Sequence, residues 1–187
     1  MNFSEYKSYT QKALESVDEA EVTAFIDTLF DAYERGVMVF VIGNGGSAAN
    51  ASHLAQDLAK GTCASMDQER RLRALSLTDN LAFFSALGND EGYDQVFVQQ
   101  LRTFCNPGDL LVAISGSGNS PNILRAVEYA SNHGLKTIGV TGFSGGKLYD
   151  MVHQRVHVPL DDMCTAESVH SVVFHYVILE LQKRMKG

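Results

Sequence analysis

The chain has few cysteines, few cations and no long apolar run. Cys63, Cys105 and Cys164 stand far apart with no Cys-x-x-Cys pair, which excludes a disulfide framework and predicts reduced thiols in a cytoplasmic protein. Cys164 lies near histidines and is read as structural rather than nucleophilic. Lys and Arg number 15 against 22 Asp and Glu, a formal net charge of −7. No basic surplus is left to neutralise a nucleic-acid backbone, so nucleic acid is not an expected partner. The longest apolar runs, at residues 37–42 and 110–114, fall far short of the ~20 residues a membrane helix needs, and no membrane partner is expected. The first seven residues carry no apolar signal-peptide core. No linker, low-complexity tract or repeat interrupts the 187 residues, a length suited to one sizeable core and read as a single domain, 1–187.

What is present is a change of period. Residues 4–17 and 19–35 repeat their apolar positions at helical spacing, the second through Val22, Phe25, Ile26, Leu29, Phe30 and Tyr33. Asp18 can cap this second helix and Gly36 can stop it. Short apolar runs follow at 37–42, 72–77, 110–115, 137–141 and 156–158. Amphipathic segments separate them at 49–59, 80–87, 93–105 and 122–132, with a last one at 165–184. Apolar strands alternating with helices predict a parallel sheet covered on both faces. The fold class is therefore α/β, a three-layer sandwich with a five-stranded parallel sheet and an N-terminal helical hairpin over residues 1–36. That hairpin is larger than the sheet requires and is predicted to pack against another subunit.

Ligands of such sheets bind where strands end, and two strand-end loops are built alike. Gly43-Asn-Gly-Gly-Ser-Ala-Ala-Asn50 joins a strand to a helix, and Ser115-Gly-Ser-Gly-Asn-Ser120 precedes Pro121 at another helix start. Glycines let backbone N–H groups approach a phosphate, while Ser47, Ser115, Ser117 and Ser120 add hydroxyls at positive helix N-termini. Together they predict a phosphate cradle without Lys or Arg. No Gly-Lys-Ser/Thr ending is present, which excludes a Walker loop. Gly43, Gly45 and Ala48 fit a dinucleotide fingerprint, but the nearest strand-end acid, Asp79, comes over thirty residues later instead of the ~20 such sites use. No nucleotide cofactor is expected.

These segments, with Gly43 to His53, Gly88-Asn-Asp90, Ala113 to Ser120, Thr141 to Lys147 and a last helix bearing His170 and His175, resemble the sugar isomerase (SIS) family, in its phosphoheptose isomerase branch. The resemblance implies a flavodoxin-like fold and conversion of sedoheptulose 7-phosphate to D-glycero-D-manno-heptose 7-phosphate, in heptose or lipopolysaccharide synthesis. It implies a homotetramer with sites between subunits. It further implies substrate contacts from Asn44, Gly45, Gly46, Ser47, Asn89, Asp90, Ser115, Gly116, Ser117, Ser120 and Glu167. By the same match His53, Asp57, Glu167 and His175 fall on catalytic and zinc positions. Asp57 stands where the family commonly has Glu, Glu167 where it has Gln, and an Arg usual after this helix is absent, with Lys60 nearby. These departures leave room for a different phosphosugar.

Aldose–ketose isomerisation moves a proton between adjacent carbons through an enediol, and so needs an acid, a base and oxyanion stabilisation. Asp57 and His175 are the candidate pair, imidazole being the side chain best suited to proton transfer near neutral pH. His53 and Asp57, at i and i+4, can ligate zinc with Glu167 and His175. Eight residues of helix rise about 12 Å, so Glu167 joins His175 on one metal only if it precedes the helix or comes from another chain. His170 is read as a core residue, His133 as a helix terminus, and His153 and His157 as near-surface residues without chemistry. Asp161 and Asp162 read as a solvated turn, and Phe83, Phe84, Tyr93 and Phe97 as core or interface. A non-catalytic SIS protein, binding a phosphosugar or a replication initiator, is the alternative from another class. The titratable residues at all four positions favour the enzyme.

Overall fold

Asn2 and Glu5 open the first helix by capping each other. Asn2 Oδ1 accepts from the Glu5 N–H at 3.0 Å and the Glu5 carboxylate from the Asn2 N–H at 2.8 Å. α1 (Phe3–Glu15) leads into α2 (Glu19–Arg35), which Asp18 caps at the Ala20 N–H and Gly36 ends in the left-handed region. Phe25 and Leu29 on α2 are wholly buried, each stabilising the hairpin's seat on the sheet by about 1.5–3 kcal/mol. The computed structural model describes residues 1–186.

The sheet has five parallel strands: β1 (Met38–Gly43), β2 (Arg73–Ser76), β3 (Leu110–Ser115), β4 (Lys136–Thr141) and β5 (Gln154–His157). Their order is β2-β1-β3-β4-β5, the flavodoxin-like arrangement, with the chain reversing direction across the sheet between β1 and β3. Alternate residues serve opposite faces. Val39, Val41, Leu110, Val112 and Ile114 join α1, α2, α3 (Gly46–Gln56) and α8 (Met163–Lys186) on one side. Phe40, Ile42, Leu111 and Ala113 meet the other layer, formed by α4 (Leu81–Asp90), α5 (Val98–Phe104), α6 (Pro121–Asn132) and α7 (Leu148–Met151).

Three local expectations change. The helix predicted over 93–105 is a 3₁₀ turn, Tyr93–Gln95, followed by α5. Phe97 is buried instead at the junction, so its packing is met without a continuous helix. The helix after β1 begins at Gly46, three residues earlier than its apolar pattern, because Gly45 turns the chain directly from strand to helix. It continues past Gln56 as a π-helical turn, Asp57–Gly61. α7 was not anticipated, and four residues are too few to show a helical period.

Candidate functional site

The cradle forms at the carboxyl ends of β1 and β3, the two strands flanking the switch in sheet order. Asn44, Gly45, Gly46, Ser47, Ser115, Gly116, Ser117 and Ser120 line one cleft of ≈ 230 Å³, together with Ile114, Met163 and Glu167. No Lys or Arg lines it. The N-termini of α3 and α6 supply positive dipole ends, and the Ser120 hydroxyl makes no capping bond of its own. Glycine at 46 leaves room for the Glu167 carboxylate, which any Cβ there would overlap.

A second loop braces this cradle. Gly142 N–H donates to the Gly116 carbonyl at 2.9 Å and Leu148 N–H to that of Gly118 at 3.0 Å. Gly118 has φ +64°, and a Cβ would collide with the Gly145 carbonyl. Asn119 ties the two loops through the Ser117 carbonyl (2.9 Å) and the Lys147 N–H (3.2 Å). Beneath them His170, wholly buried, donates from Nε2 to the Thr141 carbonyl at 3.0 Å, while its Nδ1 has no partner. Burial pushes its pKa down to about 4, so at neutral pH it is an uncharged structural pin.

Asp57, His53 and His175 meet elsewhere along α3 and α8. Asp57 Oδ2 lies 3.3 Å from His53 Nε2 and 4.0 Å from His175 Nε2. Each offers a ligand atom within 4.8 Å of the others, so two imidazoles and a carboxylate form a group able to hold a metal or move a proton. Asp57 opens the π-helical turn, a distortion that recurs at functional sites. The two histidines are exposed and Asp57 is half-buried.

Glu167 does not join the trio within one chain. α8 is continuous from Met163, so the rise of about 12 Å carries Glu167 to the cradle while His175 stays with Asp57. Asn89 and Asp90 lie at the exposed end of α4, bonded to each other at 2.7 Å and outside the cleft lining. Cys164 is exposed in the first turn of α8. His133 ends α6 on the Tyr129 carbonyl, 2.8 Å away, and Asp162 accepts from Thr165 at the start of α8. His157 is less detached than expected, its Nδ1 lying 2.9 Å from Thr141 Oγ1 and its N–H bonding Glu21.

Sequence reasoning missed three polar residues here. Asn50 accepts from Ser171 at 2.7 Å and donates to the Glu167 carbonyl at 3.1 Å, fastening α3 to α8 between cleft and trio. Asn122 and Tyr93 both bond Asn44. Tyr93 is expected in the core or an interface, and its contact with Asn44, 49 positions away, leaves no signal in the local sequence.

The SIS domain family profile matches residues 3–142. The chain belongs to the SIS domain family. Among SIS proteins it is 36% identical over 181 residues to a phosphoheptose isomerase of Geotalea daltonii, covering 95% of this chain and 92% of that one. It is 35% identical over 175 residues to the phosphoheptose isomerase of Geobacter sulfurreducens, covering 93% and 90%. The phosphoheptose isomerase structure from Francisella tularensis superposes with a TM-score of 0.88 at 29% identity, covering 96% of each chain. These relatives place the chain in the phosphoheptose isomerase branch of the SIS family.

Proposed function

We propose that this protein is a phosphosugar aldose–ketose isomerase that converts sedoheptulose 7-phosphate to D-glycero-D-manno-heptose 7-phosphate. The observation that carries the reading is the division of the site into a phosphate cradle and an acid–imidazole trio set apart along α8. In a 7-phosphate the reacting carbons, C1 and C2, lie at the opposite end from the phosphate, so the substrate needs this separation. The names of the relatives in the same branch agree.

In the proposed mechanism the cradle holds the phosphate through backbone N–H groups, hydroxyls and two helix N-termini. One member of the Asp57–His175 pair takes a proton from C1 of the ketose, and the other protonates the C2 oxygen as the enediol forms. The proton then returns to C2 as the O1 proton leaves, giving the aldose with no net gain or loss. Glu167, over Gly46, orients sugar hydroxyls beside the cradle.

His53, Asp57 and His175 also suit zinc, which takes imidazole and carboxylate ligands. Zinc held there would supply Lewis-acid stabilisation of the developing oxyanion. Glu167 of a second copy is the proposed route to a fourth ligand.

The assembly we propose is a homotetramer whose copies close these sites. Val172, Tyr176 and Leu179 are 46%, 52% and 55% exposed on the α8 face that bears His175, beside a groove of ≈ 540 Å³ against the α1–α2 corner. α4 has no buried residue although it carries Leu81, Phe83 and Phe84. A second copy covering these faces buries both and gives Asn89 and Asp90 a site to enter. The 1–36 hairpin then belongs to one SIS domain spanning the chain. Three free cysteines suit the cytoplasm, and no helix among the described residues is long and apolar enough to cross a membrane.

A second reading keeps the chemistry but changes the sugar. It is favoured by Asp57, whose carboxylate reaches one methylene less far than Glu. A non-catalytic binding role leaves the gathering of His53, Asp57 and His175 without a use.

The test is NMR of the purified protein with sedoheptulose 7-phosphate in D2O, after chelation and again with zinc restored. An aldose carrying deuterium at C2 supports the substrate and the enediol route, and the two arms decide the metal's part. No product and no deuterium uptake from folded protein removes this substrate.

A further inference from the structure

Asn44 is the first residue beyond β1 and lines the cleft. A carboxamide can present either its oxygen or its nitrogen to a ligand, and its neighbours decide which. Here the decision starts at the backbone. The Ile123 N–H donates at 3.0 Å to the side chain of Asn122, so the atom it meets is the oxygen, Oδ1. The other arm of Asn122 is therefore Nδ2, which donates to Asn44 Oδ1 at 2.9 Å. Asn44 Nδ2 returns a hydrogen bond to Asn122 Oδ1 at 2.9 Å, and the two amides pair reciprocally. The Tyr93 hydroxyl donates to Asn44 Oδ1 as well, at 2.9 Å.

An amide oxygen has two lone pairs, and both of those on Asn44 are taken. One N–H of Nδ2 is committed to Asn122, which leaves a single N–H for a ligand. We infer that Asn122 and Tyr93 are positioning residues that hold Asn44 as a donor-only contact of the cleft. It then selects an acceptor oxygen, such as one of a phosphate or sugar carbonyl, and rejects a group that must donate there. The inference rests on the reading of this cleft as the phosphosugar site.

The clamp draws on three separate parts of the chain. Asn122 lies at the buried start of α6 and is 1% exposed. Tyr93 stands in the 3₁₀ turn three residues beyond Asp90. Its hydroxyl therefore also fastens the segment after α4, which bears Asn89 and Asp90, to the loop after β1. Tyr93→Phe keeps the ring against Phe84, 5.9 Å between centroids, and removes only the donor.

Two measurements test this. The first is a double-mutant cycle of Tyr93→Phe and Asn44→Ala, read as the affinity for sedoheptulose 7-phosphate by calorimetry. Tyr93→Phe is expected to weaken binding about 5- to 10-fold with Asn44 present and less than about 2-fold in Asn44→Ala, with unchanged melting temperatures. Asn122→Asp, which replaces the donor to Asn44 Oδ1 by an acceptor, is expected to weaken binding further than Tyr93→Phe. Equal losses in both backgrounds, or none in either, overturn the clamp. The second is the Asn44 side-chain amide signal in the ligand-free protein, expected to be sharp and slow to exchange in wild type and faster in Tyr93→Phe. An amide already averaged in wild type also overturns it.

The outcomes separate from those for the proposed reaction. A coupled cycle without turnover leaves the clamp standing and removes the isomerase reading, whereas turnover with an uncoupled cycle does the reverse. If wild type does not bind the sugar phosphate, the cycle is read with inorganic phosphate, and failure to bind that removes both.

Discussion

His170 makes the stability of this protein sensitive to acid, with a sign and size set by its surroundings. Its Nε2–H is committed to the Thr141 carbonyl, so the second proton of an imidazolium would enter at Nδ1, which is buried without a partner. Burial is the main cause that lowers the pKa from 6.5 to about 4. The bond to Thr141 opposes it, and the charge of His157 adds a smaller push down. Because the folded value lies below the unfolded one, the unfolded chain takes up the proton first as pH falls. The contribution is complete above pH 6.5 and is lost on the way down to pH 4. At about 1.4 kcal/mol per pH unit that window removes about 3 kcal/mol, against a total stability of about 5–15 kcal/mol for ordinary domains. The comparison is urea unfolding of wild type and His170→Gln at about pH 7 and pH 4.5. The glutamine can donate to the same carbonyl and does not titrate, and losses from the carboxylates common to both proteins cancel. Wild type is expected to lose about 2–3 kcal/mol more than the variant. Losses equal within ~0.5 kcal/mol would refute the reasoning.

Other substitutions probe the site itself. Asp57→Asn and His175→Gln are each expected to lower kcat by about 10²–10⁴-fold while the urea midpoint stays near wild type, and unchanged turnover would remove them from the chemistry. Ser120→Ala is expected to raise KM about 10-fold or more with little change in kcat, since a hydrogen bond to a charged group is worth about 1.5–3 kcal/mol. A kcat loss with unchanged KM would contradict a binding role. Gly118→Ala places a side chain at φ +64° against the Gly145 carbonyl, and is expected to cost about 2 kcal/mol or more in urea unfolding and to weaken phosphosugar binding. A neutral result would mean that the two loops part easily.

The sheet was legible because its strands carry uninterrupted apolar runs, such as Val39 to Ile42, that serve both faces at once. That the two glycine- and serine-rich loops share one cleft was legible for a related reason, since both follow strands that the parallel sheet places side by side. The i, i+4 relation of His53 and Asp57 could be read directly, but the arrival of His175 beside them depends on how α8 crosses α3. Tyr93 marks the limit. Its spacing with Phe97 suits a helix, and its bond to Asn44 spans 49 positions, a polar contact that leaves no local pattern. The same holds for Asn50 with Ser171, 121 positions apart.

The cradle stands on β1 and β3, and that pairing ties function to the whole folding transition. Met38 N–H bonds Asp109 across 71 positions, and Asn44 pairs with Asn122 across 78. No short local segment contains both halves of the site, which lie about 70 positions apart, so a locally folded hairpin or βα unit holds only one of them. Closing these long loops comes before any reward from their contacts, which makes the β1–β3 seam a slow element to assemble. Once formed, it lies at the centre of the sheet, where opening requires unfolding most of the molecule. On the proposed function, phosphosugar bound in this cleft protects the protein as a unit, adding RT ln(1 + [L]/Kd) to its stability instead of merely quieting a loop.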